Sequence, residues 1–381
     1  MVAQLNYTKM VQIPILEQQQ VHTFSLDRLS LQRGGLLGPI QITYETWGTL
    51  NALGTNAILI THALTGDTHA HDTERPDDPK AAWWNLLIGP GRPIDTDRYF
   101  VVCANVLGGC SGSTGPASID PRTERPYGMR FPLITIHDMV RAQHALLEDL
   151  GVRQLASVYG GSIGGQQALT WAVLYPEMVQ RVVVIAASAA LSAQGIAFNE
   201  VARQVIMADP LWNCGDYAAE RAPATGLAIA RMLAMITYQS EVSMDQRFGR
   251  HEARREEVVS PTAHPDLGGR FDVENYLYHQ GGSLARRFDA NSYIYLSRAM
   301  DLFDISEGFS SLEAALARIS SKALFIGINT DFLFPAKHVR ALAEKVSALG
   351  GDATYIELDS PHGHDAFLKE WEQMAVALQQ S

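Results

Sequence analysis

A serine flanked by glycines, Gly160-Gly161-Ser162-Ile163-Gly164, meets the G-x-S-x-G pattern of a nucleophile elbow. A serine hydroxyl is a weak nucleophile, so acyl chemistry at Ser162 requires a base within reach and a third group to orient that base. Asp331 and His364 are the candidates. Asp331 follows the apolar run 323–328 and His364 follows the run 354–358, so both are expected at the carboxyl ends of strands, where open α/β sheets assemble their sites. His362 is an alternative base, but His364 directly precedes Asp365-Ala366-Phe367-Leu368, which reads as a helix start that would fix its position. The oxyanion of an acyl-transfer step needs two backbone N–H donors, one from the residue after the nucleophile and one from the loop after an earlier strand. Ile163 supplies the first, and Leu64, in the loop His62-Ala63-Leu64-Thr65-Gly66 that follows the run 56–60, supplies the second. A glycine-rich turn before a helix can also cradle phosphate, with the serine as a mere cap. The strand-like entry to this turn, together with Asp331 and His364, favours acyl transfer.

The elements needed to position these groups are visible as patterns. Leu155 to Tyr159 reads as a buried strand entering the turn, and Gln166 to Ala172 as a helix that Pro176 closes. Residues 21–47 alternate as a hairpin with a turn region at Gly34-Gly35. The runs 56–60, 99–103 and 181–185 have the continuous apolar character of strands covered on both faces, and 136–150 reads as a helix. This alternation predicts a mostly parallel α/β sheet flanked by helices. From 191 to 320 the pattern turns helical, rich in Ala, Met and Arg; strand logic returns at 323–328, with a helix at 336–348 and a strand at 354–358. The predicted architecture is therefore a core of residues 1–190 and 321–381 interrupted by a helical lid insertion, 191–320, long enough to cover a site. The order Ser162, Asp331, His364 is that of the α/β-hydrolase fold, not of chymotrypsin-like or subtilisin-like enzymes.

Whole-chain properties narrow the function class. The 381 residues carry a formal net charge of −11, which disfavours a nucleic-acid or anionic-membrane surface as partner. No run of about 18 apolar residues and no basic-then-apolar start are present, so a cytoplasmic protein without a membrane span is expected. Cys103, Cys110 and Cys214 lack C-x-x-C spacing and are expected to be reduced and buried. His62, His69 and His71 with Asp67 and Asp72 match no metal-ligand spacing, so no metal is expected.

Over nearly its whole length the chain resembles the homoserine O-acetyltransferase family of methionine biosynthesis. The resemblance rests on His62 to Gly66, Asn105-Val106-Leu107-Gly108-Gly109-Cys110 with Gly112 to Pro116, Gly160 to Gly165, Phe288 to Tyr293 and Gly363 to Leu368, all in family order. It implies Ser162 as the acyl-accepting nucleophile, His364 as base and Asp331 as its orienter. It also implies Arg231 as the grip on the homoserine carboxylate and Asp365 as the partner of its ammonium, pairings that suit a guanidinium fork and a carboxylate. The substrates so implied are acetyl-CoA, as co-substrate, and L-homoserine, with no permanently bound cofactor and a homodimer formed partly through the lid. Family members commonly carry Met at the positions of Ile163 and Gln166, which leaves the backbone donor intact but bears on acyl preference. Succinyl transfer to homoserine, acyl transfer to serine and plain ester hydrolysis are the alternatives.

Overall fold

The computed structural model describes residues 21–253 and 271–379. The stretches 1–20, 254–270 and 380–381, which belong in part to the expected core and in part to the expected insertion, lie outside the described residues.

One eight-stranded sheet organises the chain. Its strands are β1 (His22–Leu26), β2 (Ile40–Trp47), β3 (Ala57–Thr61), β4 (Phe100–Ala104), β5 (Leu155–Gly161), β6 (Arg181–Ile185), β7 (Lys322–Ile328) and β8 (Ala353–Leu358). They lie in the order β1-β2-β4-β3-β5-β6-β7-β8. β1 and β2 pair antiparallel, β2 pairs antiparallel with β4, and every pair from β4 to β8 is parallel. All five residues of β3 and the last four of β6 are buried, as expected of parallel strands covered on both faces. Between β1 and β2 the chain adds a small ribbon, Leu29–Ser30 against Leu36–Leu37, turned by Gly34 and Gly35 at φ +90° each, so the expected turn closes this ribbon.

Helices fill the connections. In chain order they are α1 (Ile136–Asp149), α2 (Ile163–Leu174), α3 (Ala193–Ala208), α4 (Ala224–Tyr238), α5 (Glu241–Arg247), α6 (Asp272–Ala285), α7 (Ala290–Asp301), α8 (Leu312–Leu316), α9 (Ala336–Ala348) and α10 (Trp371–Gln379). α1 starts on a capping box in which the Thr135 hydroxyl and backbone amide both donate to Asp138 Oδ2, at 2.9 Å each, while the Asp138 amide bonds back to Thr135 Oγ1. α2 is buried almost all round because β5, β6 and α1 enclose it, which suits its lack of charged residues.

Between Ile185 and Lys322 the described residues add no strand to the central sheet and hold α3 to α8. Ala190 pairs with Asp304 in an antiparallel bridge, and the Ile305 amide donates to the Ala189 carbonyl at 2.9 Å. α4 packs between α3 and α6, and the buried Arg203 of α3 reaches Asp301 of α7 at 2.6 Å. The end of α4 abuts the short 3-10 turn Gly363–Leu368 of the core. Gly363, at φ +63°, is needed there, since a Cβ would stand 2.8 Å from both the Tyr238 carbonyl and the Ser240 amide. The three cysteines are free, but only Cys103 is buried; Cys110 is half-buried and Cys214 is exposed, in a turn of the inserted helices at φ +55°, which corrects the expectation for these two.

Candidate active site

Ser162 sits between β5 and α2 at φ +61°, ψ −126°, a backbone conformation that a non-glycine residue holds only when its surroundings impose it. The imposing contacts are visible. The Ser162 amide donates to the Ile185 carbonyl at 3.0 Å, and the Thr61 hydroxyl bonds the carbonyls of Gly164 at 2.8 Å and Tyr159 at 3.1 Å, so β3 and β6 brace the turn from both sides. A Cβ on Gly164 would overlap the Thr61 carbonyl, a backbone atom that cannot swing aside. Gly164→Ala is therefore expected to cost about 3 kcal/mol or more, read as a lowered Tm by thermal denaturation.

Asp331 and His364, expected as orienter and base, meet in one buried hydrogen bond. Asp331 Oδ1 accepts the amides of Leu333 and Phe334, both at 2.9 Å, and Oδ2 accepts from His364 Nδ1 at 2.6 Å. This arrangement leaves His364 Nε2 uncommitted, and that atom has no hydrogen-bond partner among the described residues. The imidazole is buried between Phe334, Tyr238 and Phe367, with ring centroids 5.3, 5.6 and 5.7 Å away. Burial opposes its charge, yet the Asp331 charge, the hydrogen bond to it and the Asp365 charge together outweigh that and raise its pKa above the ordinary imidazole value. The alternative base, His362, points elsewhere, with its Nε2 3.9 Å from Glu370. The ring of Phe367, three residues after His364, lies against Gly161, so the turn bearing His364 packs directly on the elbow.

Leu64 and Ile163 offer two amides that donate to no carbonyl or side chain of the chain among the described residues. The loop carrying Leu64 is clamped from three sides. His62 bonds the Ala63 carbonyl through Nδ1 at 2.8 Å and accepts the Val106 amide at Nε2 at 3.1 Å, and Arg287 donates to the Thr65 carbonyl at 2.9 Å. Burial lowers the pKa of His62, which keeps Nε2 free to accept. His69 bonds the buried Glu45 at 3.3 Å, an interaction that raises its pKa. Among the described residues no group of three or more His, Cys, Asp or Glu is arranged to hold a metal ion.

Arg231 and Asp365 both act on Tyr238, at the end of α4. The guanidinium carbon of Arg231 is 5.6 Å from the Tyr238 ring centroid, and Asp365 Oδ2 accepts from Gln239 Nε2 at 2.8 Å with Lys369 Nζ 3.8 Å away. Burial first, and then the Asp365 charge, raise the pKa of Tyr238 against the opposing effect of Arg231, so both charges act on this one phenol. Arg231 and Arg287 also line a cavity of about 400 Å³ together with Ala63, Thr65 and Asp67 of the clamped loop. Tyr238, Arg287 and Gln239 were not singled out in the sequence. For Tyr238 a signal existed, because it lies seven residues after Arg231, two helical turns along the same face.

Comparison with known proteins agrees with this geometry. The alpha/beta hydrolase fold family matches residues 56–370. A homoserine O-acetyltransferase from Carboxydothermus hydrogenoformans is 49% identical over 368 residues, covering 96% of this chain and 95% of that protein. The crystal structure of a homoserine O-acetyltransferase from Bacillus anthracis superposes with a TM-score of 0.87 at 31% identity, over 95% of this chain and 96% of that one. The crystal structure of esterase E22 is as near in shape, with a TM-score of 0.86 at 32% identity over 95% and 99% of the two chains.

Proposed function

Because the chain belongs to the homoserine O-acetyltransferases, acyltransferases of the α/β-hydrolase fold, we propose that it moves the acetyl group of acetyl-CoA to the hydroxyl of L-homoserine. The observation that supports this most is the Asp331–His364 pair, buried against the Tyr238 ring over which Arg231 lies, with Asp365 the residue that follows His364. An α-amino acid presents the matching carboxylate and ammonium.

In the first half-reaction the Ser162 hydroxyl gives its proton to His364 Nε2 and attacks the thioester carbonyl carbon. The Leu64 and Ile163 amides receive the oxyanion. The C–S bond breaks, the CoA thiolate takes the proton back from His364, and an acetyl-Ser162 ester remains. In the second half-reaction Arg231 and Asp365 hold homoserine. Its hydroxyl passes a proton to His364 and attacks the ester carbonyl, and O-acetyl-L-homoserine leaves as the proton returns to Ser162. Transfer has to outrun hydrolysis by water at roughly 55 M, so pre-positioning of the amino acid and exclusion of water supply the selectivity. The inserted helices, with α4 against the His364 turn, serve as the lid that does this. We further read the enzyme as a cytoplasmic homodimer without a permanently bound cofactor. The exposed Ile229 and Ile236 of α4, 44% and 50% accessible, support an interface through the lid.

Thiol release from acetyl-CoA and succinyl-CoA, each with L-homoserine, L-serine or no acceptor, tests the reading. Homoserine-dependent release from acetyl-CoA is expected. Equal release without an acceptor would make water the second substrate, the outcome that the likeness to esterase E22 represents.

The raised pKa of His364 gives a pH expectation. A base must be neutral to accept a proton, so kcat/KM for an activated acetyl ester is expected to fall as pH drops through a midpoint above about 6.5, the ordinary imidazole value. Asp365→Asn removes one of the charges that raise it, and should move this acid limb to lower pH. A limb that stays in place would exclude Asp365 from the electrostatics of the base.

A further inference from the structure

A second recess, of about 700 Å³, opens at the other end of the sheet, where β3, β5, β6 and β7 begin, near the last residue of α10. Four cationic side chains line it, Arg92, Arg98, Arg181 and Lys322, against a single carboxylate, Asp95. Two of these five are already engaged. Arg92 pairs with Asp77 at 2.9 Å, and Asp95 Oδ1 accepts the amides of Gly91 and Asp97 at 3.0 Å each. The other three cations form no ion pair among the described residues. Arg181 spends its terminal nitrogens on neutral oxygens, Tyr159 Oη at 3.2 Å and the Leu378 carbonyl at 2.9 Å, and its Nε has no partner; Arg98 lies over the Tyr99 ring. In a chain whose net charge is −11, three unneutralised cations facing one recess repel one another unless an anion lies among them.

The wall of the recess departs from the pattern of the strand that forms it. Ser157, 5% exposed, and Tyr159 both line it from β5, a central parallel strand whose neighbours β3 and β6 are apolar at their buried positions except for Thr61 at the opposite, elbow end. A buried serine adds nothing to a core, but it offers a donor to a bound oxygen. Local breaks of pattern of this kind mark functional sites. The volume falls within the range of about 300–1,000 Å³ usual for small-molecule sites. Arg98, Arg181 and Lys322 come from three different segments, and positive charge supplied from several segments suits the several charged oxygens of a phosphate better than one planar carboxylate, which a single guanidinium fork already satisfies.

We infer that this recess binds a small phosphate-bearing anion at a site separate from the catalytic end of the sheet. Ser162 follows Ser157 by five residue steps along β5 and its end, roughly 16 Å at about 3.3 Å per step.

Isothermal titration of the full-length protein with pyrophosphate tests the site. One-to-one binding is expected in the wild type, weakened at least tenfold in Arg98→Gln/Lys322→Gln, whose two side chains are at the surface and whose thiol-release activity should be unchanged. The Arg287→Gln variant, altered at the catalytic end, should bind pyrophosphate as the wild type does. Absence of binding at millimolar pyrophosphate would overturn the inference. So would binding that survives Arg98→Gln/Lys322→Gln, or binding that is lost in Arg287→Gln.

Discussion

Ser162→Ala is expected to lower kcat by on the order of 10⁶-fold while leaving the fold in place, the size of effect seen when a serine nucleophile is removed from a triad that acts as a unit. The geometry separates the two consequences. The contacts that hold residue 162 at φ +61° are made by backbone atoms, its amide to the Ile185 carbonyl and the Gln166 amide to its own carbonyl, and alanine keeps both. Only the hydroxyl is lost, and with it the covalent acyl-enzyme. The Leu64 and Ile163 amides remain, so a residual acceleration of about 10³–10⁴ over water should persist. Steady-state thiol release, thermal denaturation and intact-mass spectrometry after incubation with acetyl-CoA together read this out. Near-wild-type turnover, or an acetyl adduct on the alanine variant, would remove Ser162 from the chemistry.

Asp331→Asn is expected to cost about 10⁴-fold in kcat, for a reason that lies in which oxygen does what. Oδ1 is committed to the amides of Leu333 and Phe334, two donors that only an oxygen can receive. An asparagine must therefore keep its carbonyl oxygen there and turn its NH₂ group toward His364 Nδ1. That nitrogen then has to accept, the ring proton moves to Nε2, and the base can no longer take the serine proton. The substitution is isosteric and spares the buried backbone bonds, so Tm should change far less than kcat. If the variant were as active as the wild type, another group would have to set the tautomer of His364.

How much of this was legible in the sequence follows from the range of each interaction. The strands from 56 to 185 and from 322 to 358 announce themselves because burial on both faces demands uninterrupted apolar runs, and the elbow because its strained turn demands glycine at Gly160 and Gly164. Ser162, Asp331 and His364 could be named from their order and from their places after strands. The support around them could not. The bonds of Arg287 to Thr65 and of Gln239 to Asp365 join residues 222 and 126 positions apart, and no local periodicity encodes them. The buried Glu45 in β2 is similar: an acid within an apolar alternation is explained only once Thr68 and His69 are seen to meet it. The His364 segment shows a third case. A helix start was expected after His364, whereas the 3-10 turn Gly363–Leu368 contains the histidine, because Gly363 has to pass close to the end of α4.

Since Ala190 pairs with Asp304, the chain leaves the core and returns to it at neighbouring points. Topologically the whole stretch between them is one long loop whose ends the core already holds together, and the entropic cost of closing a loop grows only with the logarithm of its length. Helices can be added, shortened or exchanged there without disturbing the strand order β1-β2-β4-β3-β5-β6-β7-β8. Arg231 on α4, the half of the proposed acceptor clamp that lies within that loop, is thereby free to evolve separately from Ser162, Asp331, His364 and Asp365, which all lie outside it.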